Sequence, residues 1–207
     1  MLNSPWLDNP SRLPLANSRK VAIIAVFSAL ALAVNYALTP FPNIKLFDTL
    51  VFVSALLFGL DTGIAIAALT WLVYGSVNPY GADPLNLLFT LMISETVYAF
   101  FGWIARKTSS VQNYKTSQKS LLFGFMGLVG AIIYDVATIV GPLMIIGVSV
   151  RTSFLSLVNP ATVYFMLSHE LSDFVFFSTV APLLMVAISR IVPSWIVLAK
   201  METVITK

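Results

Sequence analysis

LLFGFMGLVGAIIYDVATIVGPLMIIGV, residues Leu121–Val148, contains a single charged side chain, Asp135. A run of about 18 or more apolar residues is long enough to cross the hydrocarbon core of a bilayer as a helix. A second long block, Ala161–Ile188, follows it, and two others precede it at Val21–Leu38 and Leu85–Ala105. Two shorter apolar stretches, Ile44–Leu60 and Thr62–Val77, lie between those two, with Gly59, Asp61 and Gly63 marking a tight turn at their junction. Backbone groups in lipid must be satisfied within their own segment, so helices are the expected solution. Burying all of these blocks in water would require a core larger than 207 residues can build. The expected fold is therefore an all-α integral membrane protein of six transmembrane helices, at 21–38, 44–60, 62–77, 85–105, 121–148 and 161–188.

The composition agrees. Hydrophobic residues make up 58% of the chain, charged residues only 10%, and mean hydropathy is +0.89; soluble domains carry about 25% charged residues. The basic residues that set the pI near 9.2 sit at span ends and form no patch suited to nucleic acid. With no cysteine, disulfide frameworks and cysteine-based metal centres are excluded. The first apolar block is too long for a signal-peptide core and lacks a small-residue cleavage site after it. Gly141-Pro142 and Pro182 are the expected kink points of the last two spans.

Topology follows from the basic residues. Six spans with both termini inside place Arg12, Arg19, Lys20, Arg106, Lys107, Lys115, Lys119, Arg190, Lys200 and Lys207 on the inner side. Only Lys45 and Arg151 of the 12 Lys and Arg residues remain outside. If residues 44–77 formed one broken span instead, the better of the two orientations would still leave four basic residues on the wrong side. Residues 1–20 and 191–207 are then cytoplasmic tails, and the expected location is the cell membrane.

Two features point to function. Ala25, Ala29, Ala33 and Ala37 recur every four residues along the first span, with Ala22 close by, so they share one helix face. Small residues on one face let a second helix approach closely in lipid, either within the bundle or from a partner. The second feature is a set of ionisable side chains at membrane depth: Glu95, Asp135, His169, Glu170 and Asp173. At 1.5 Å rise per residue they fall about 12–20 Å from the nearer ends of their spans. A charge there costs about 2.5–3.5 kcal/mol on insertion scales, so each needs a partner or a wet cavity. His169 and Asp173, spaced i,i+4, share a face. This set suits a pocket for a polar ligand, a structural interhelical network, or an ion site. His169-Glu170-Leu-Ser-Asp173 lacks the second histidine of a helical zinc motif, so no metal and no cofactor is expected.

The outer loops add Phe41-Pro42-Asn43-Ile44-Lys45, Asp48, Asn78, Tyr80, Asp83, Asn86, Arg151, Ser153 and Asn159. Asn-Pro pairs are turn formers first, but amides and aromatics gathered at one membrane face also suit a flat, hydrogen-bonding ligand. Tyr36, Trp71, Tyr74, Tyr98, Tyr134 and Tyr164 are further stacking surfaces, some of them part of the interfacial aromatic belt. One histidine without cysteine offers little for catalysis, and no enzyme is expected.

The size, the six helices, the Ala25-xxx-Ala29-xxx-Ala33 stripe and the segment DTLVFVSALLFG (Asp48–Gly59) with its short return helix resemble the substrate-binding (S) component of energy-coupling factor transporters. The resemblance covers roughly residues 18–190 and is strongest over 20–105. It implies uptake of a vitamin or related small heterocycle. The ligand would bind from outside, in a pocket involving Asp48, Asn78, Tyr80, Asp83, Asn86, Glu95, Tyr98, Asp135, Asn159, His169, Glu170 and Asp173. It further implies that Ala25, Ala29 and Ala33 dock a transmembrane coupling (T) component driven by separate ATPase subunits; the chain itself has no GxxxxGK[ST] loop. The rival reading is a small ion- or proton-coupled carrier with Glu95, Asp135 and Asp173 as its relay, although no convincing repeat links residues 20–77 with 120–188.

Overall fold

A computed structural model describes residues 17–108 and 116–191. The expected tails lie largely outside these residues, as does most of the 106–120 loop. Among the described residues every regular element is helical: α1 (Asn17–Leu38), α2 (Phe47–Phe58), α3 (Leu60–Ser76), α4 (Leu85–Ser94), α5 (Thr96–Lys107), α6 (Thr116–Ile145), the short α7 (Val150–Leu155) with a 3-10 turn at Ser156–Val158, and α8 (Pro160–Ile191). Four segments are long and apolar enough to cross a membrane: α1, the α4–α5 pair, α6 and α8. Their outer faces carry large exposed apolar side chains, such as Phe125, Val129 and Ile133 on α6 and Leu167, Leu171 and Val175 on α8. Such a surface is stable against lipid and costly against water.

The expected 44–60 and 62–77 spans are shorter elements. Helix α2 has 12 residues, which span about 18 Å at 1.5 Å per residue, well short of a roughly 30 Å hydrocarbon core. All of its residues are buried, and α1, α3, α5 and α8 surround it. A helix that is apolar on most of its circumference belongs in such a centre, and its polar Asp48, Thr49 and Ser54 are buried with it. Gly59 alone makes the return into α3, with φ 109°, a left-handed conformation that glycine adopts without a Cβ penalty. Asp61 belongs to the first turn of α3, where it pairs with Lys20 at the same end of the bundle.

The expected 85–105 span is interrupted. Glu95 separates α4 from α5, and its carbonyl accepts from the Tyr98 N–H at 3.2 Å, a tighter i→i+3 bond. Pro142 and Pro182 both lie inside helices, and α6 begins five residues before the expected 121 and ends at Ile145, before the expected 148.

Helix α1 has two opposed stripes. Ile23, Phe27, Ala31 and Asn35 are buried, whereas Ala25, Ala29, Ala33 and Ala37 are exposed. The stripes are offset by two residues, about 200° around the helix. Among the described residues the alanine stripe is left uncovered.

Close packing of α5 on α2 depends on Gly102. A Cβ there would lie 2.2 Å from the Phe52 carbonyl oxygen and 3.1 Å from Ala55 Cβ. Backbone cannot retreat cheaply, and overpacking costs about 1–3 kcal/mol or more. Gly102→Ala is expected to lower the thermal unfolding midpoint in detergent by several degrees. An unchanged midpoint would mean that the two helices do not meet there.

Candidate functional site

One imidazole organises the buried polar groups. On α8, His169, Asp173, Phe177 and Ala181 form an inward stripe spaced by four residues, all buried. His169 Nδ1 bonds Asp135 Oδ1 of α6 at 2.9 Å, and Nε2 bonds Asp48 Oδ2 of α2 at 2.7 Å. Asp173 Oδ2 is 3.7 Å from the same Nε2, and Tyr98 Oη is 3.4 Å from it. Asp48, His169 and Asp173 are 0% exposed, and Asp135 is 2% exposed. His169 lies nine residues into α8, so the cluster sits about 14 Å below that helix's first residue.

Asp48 reaches this depth because α2 is short. Residues 39–46, between α1 and α2, run down into the bundle before α2 begins. Irregular backbone is tolerated at such depth where it is covered by protein or lines a cavity. Here Thr39 and residues 41–45 line a cavity, and Asn43 is buried. Asn43, at φ 56°, donates from Nδ2 to the Phe165 carbonyl of α8 at 2.9 Å and so pins the connection. Asparagine is among the residues that tolerate this left-handed conformation.

Above the cluster lies a cavity of about 560 Å³, within the size range of small-molecule pockets. Trp71, Tyr74 and Tyr134 form aromatic walls, Asn35, Asn43 and Asn78 supply amides, Lys45 and Asp83 supply charge, and Asp135 is shared with the cluster. Lys45 Nζ sits 4.6 Å from the Tyr134 ring centroid and 5.2 Å from that of Trp71, and donates to Tyr134 Oη at 3.4 Å. The Trp71 and Tyr134 rings stack at 6.4 Å with an interplanar angle of 23°. Trp71 Nε1 donates to Glu95 Oε2 at 3.0 Å, which ties the interruption between α4 and α5 to the aromatic wall. Burial raises the Asp83 carboxyl above the usual carboxylate range, and the Lys45 charge offsets part of that.

The expected site residues divide into three groups. Asn78, Tyr80, Asp83 and Asp135 line the cavity. Asp48, Tyr98, His169 and Asp173 form the cluster with Asp135, and Glu95 connects through Trp71. Asn86, Asn159 and Glu170 belong to neither. Asn86 Nδ2 donates to the Pro142 carbonyl of α6 at 3.2 Å, and Asn159 Oδ1 accepts from Ala161 N–H at 3.0 Å at the start of α8. Glu170 is half-buried, one position off the inward stripe, with no hydrogen bond to the cluster. Asn78 has a local task as well, since its Oδ1 accepts from Tyr80 N–H at 2.8 Å. Asp48, expected in a loop ahead of its span, lies in the first turn of α2.

Sequence reasoning left out Asn35 and named Asn43 and Lys45 only within the outer-loop set. Lys45 carried a signal in retrospect, as one of two basic residues on the expected outer side. The cluster also holds more carboxylates than cations: Asp48, Asp135, Asp173 and Glu95 against His169 and Lys45. Such an arrangement can bind and orient a polar molecule from one side of the bundle, or take up protons or a cation. No protein-family model, curated protein or solved structure matches this chain.

Proposed function

We propose that the chain is the substrate-capture subunit of an energy-coupling factor type importer, with six membrane-crossing segments and both termini cytoplasmic. The observation that carries this reading is the 560 Å³ cavity, walled by Trp71, Tyr74 and Tyr134 and bordered by the 39–46 and 77–84 connections. On the assigned orientation, these connections lie outside. A vitamin-like heterocycle would stack between the aromatic walls, with Lys45 and Asp135 as oppositely charged contacts at separate edges. The exposed Ala25, Ala29 and Ala33 face supports the same reading, because it is a smooth surface on which a coupling subunit's helix fits. Delivery would then be powered by separate ATPase subunits.

The test is mass spectrometry of small molecules released from gently purified protein, together with co-purification of a coupling subunit. A heterocycle near one per chain is expected. Ala29→Leu is expected to abolish co-purification and leave ligand content unchanged, because the side chain lies on the far side of α1 from the core. The excess of buried carboxylates favours one other reading, an ion-coupled carrier. An empty protein that moves protons or cations across liposomes would establish that reading and overturn the first.

A further inference from the structure

The geometry points to a divalent metal site at Asp48, His169 and Asp173, oriented by Asp135, beneath the floor of the cavity. One donor atom from each of the three residues lies within 4.8 Å of the other two. Two of these separations are 2.7 Å, from Nε2 to Asp48 Oδ2, and 3.7 Å, from Nε2 to Asp173 Oδ2. Donors held about 2.0–2.1 Å from one tetrahedral ion stand roughly 3.3 Å apart, so side-chain shifts on the order of 1 Å bring the set together.

Unmet bonding capacity points to a ligand in the same place. Asp173 is 0% exposed, and its carboxylate has only the Tyr98 hydroxyl and His169 Nε2 nearby, with no well-formed hydrogen bond to either oxygen among the described residues. Asp48 Oδ1 and Asp135 Oδ2 are buried and unpartnered as well. Buried carboxylates are costly to leave uncompensated, and a cation at the centre would offset the charge of Asp48 and Asp173 together.

The histidine is set up for this task. With Nδ1–H donated to Asp135, an ion that displaces the Nε2 proton would find the freed lone pair between Asp48 and Asp173. A carboxylate holding the far nitrogen of a ligating histidine fixes the ring and its tautomer. Mixed nitrogen and carboxylate donors suit a first-row divalent ion such as Zn²⁺ or Mn²⁺. Charge agrees, because four carboxylates face only His169 and Lys45, and Lys45 is engaged with the Tyr134 hydroxyl and ring. Asp135, the member shared with the cavity, marks the route by which an ion would arrive.

This inference does not rest on the transport reading, since an idle chain would still bind the ion. The test uses the full chain in lipid nanodiscs, stripped with a chelator and titrated with Zn²⁺ by calorimetry and with Co²⁺ by visible absorption. One ion per chain is expected, with a rise in melting temperature on loading. Asp48→Asn and Asp173→Asn are expected to weaken binding by more than tenfold, and Asp135→Asn by about tenfold. Glu170→Gln, next to the histidine in sequence but outside the cluster, should bind as the parent does. Each variant is compared only after its helical circular dichroism matches the parent. Substoichiometric binding at millimolar Zn²⁺, or equal affinity in the Asp48 and Asp173 variants, would overturn the proposal.

Discussion

His169→Ala is expected to be the most damaging single substitution in the bundle, lowering stability by roughly 3–5 kcal/mol. The imidazole is the common partner of Asp48 and Asp135 and lies 3.7 Å from Asp173. Its removal leaves buried carboxylates from three helices facing one another without the donor they share. An empty volume the size of the ring adds to the loss. Thermal unfolding in detergent reads the effect as a fall in midpoint on the order of 10 °C. The double variant His169→Ala with Asp135→Asn should recover part of it, because one of the stranded charges is gone. Equal midpoints for the single and double variants would show that volume, and not charge, sets the cost. His169→Gln, which keeps an amide donor, should fall between the parent and the alanine variant.

Trp71→Ala should rank second in stability and first in its effect on ligand binding. The Trp71 ring contacts Tyr134 and meets Phe47 edge-on at 6.0 Å and Tyr74 at 5.9 Å. It also lies under Lys45 and holds Glu95. Truncating a buried tryptophan costs about 3–5 kcal/mol. Glu95 would in addition lose its hydrogen-bond donor. For a ligand stacked in the cavity, loss of a central aromatic wall is worth about 2 kcal/mol or more, roughly a 30-fold weaker Kd. Trp71→Phe separates the two effects. It keeps an aromatic wall, so binding should stay within a few-fold of the parent, while the lost bond to Glu95 should still lower the midpoint. Unchanged ligand affinity in Trp71→Ala would remove the aromatic walls from the site.

Which side chains share a neighbourhood was legible where a short local period carried the information. His169 and Asp173, one helical turn apart, were expected on one face and are found there. The alanine stripe of α1 was visible for the same reason. Its direction was not, because α1 has a second stripe of the same period, Ile23, Phe27, Ala31 and Asn35. Only the surfaces of α2 and α3 decide which stripe is covered. Asn86, Asn159 and Glu170 were attractive by residue type alone. In the structure Asn86 ties α4 to α6 and Asn159 caps α8, while Glu170 lies one residue, about 100° around the helix, away from the buried face.

By itself the sequence determined an all-helical chain with long apolar helices and a few ionisable groups buried at depth. Apolar block length and the price of an unpaired backbone in lipid leave little alternative. Tertiary structure alone decided that α2 is a short buried hub, that the 39–46 connection descends beside the cavity, and that Asp48 therefore meets His169, 121 positions away. Contacts of that separation have no periodic trace in a single sequence. They arise from how far each helix reaches before it stops, and at Phe47 and Glu95 that was set by packing and buried hydrogen bonds, which hydropathy does not register.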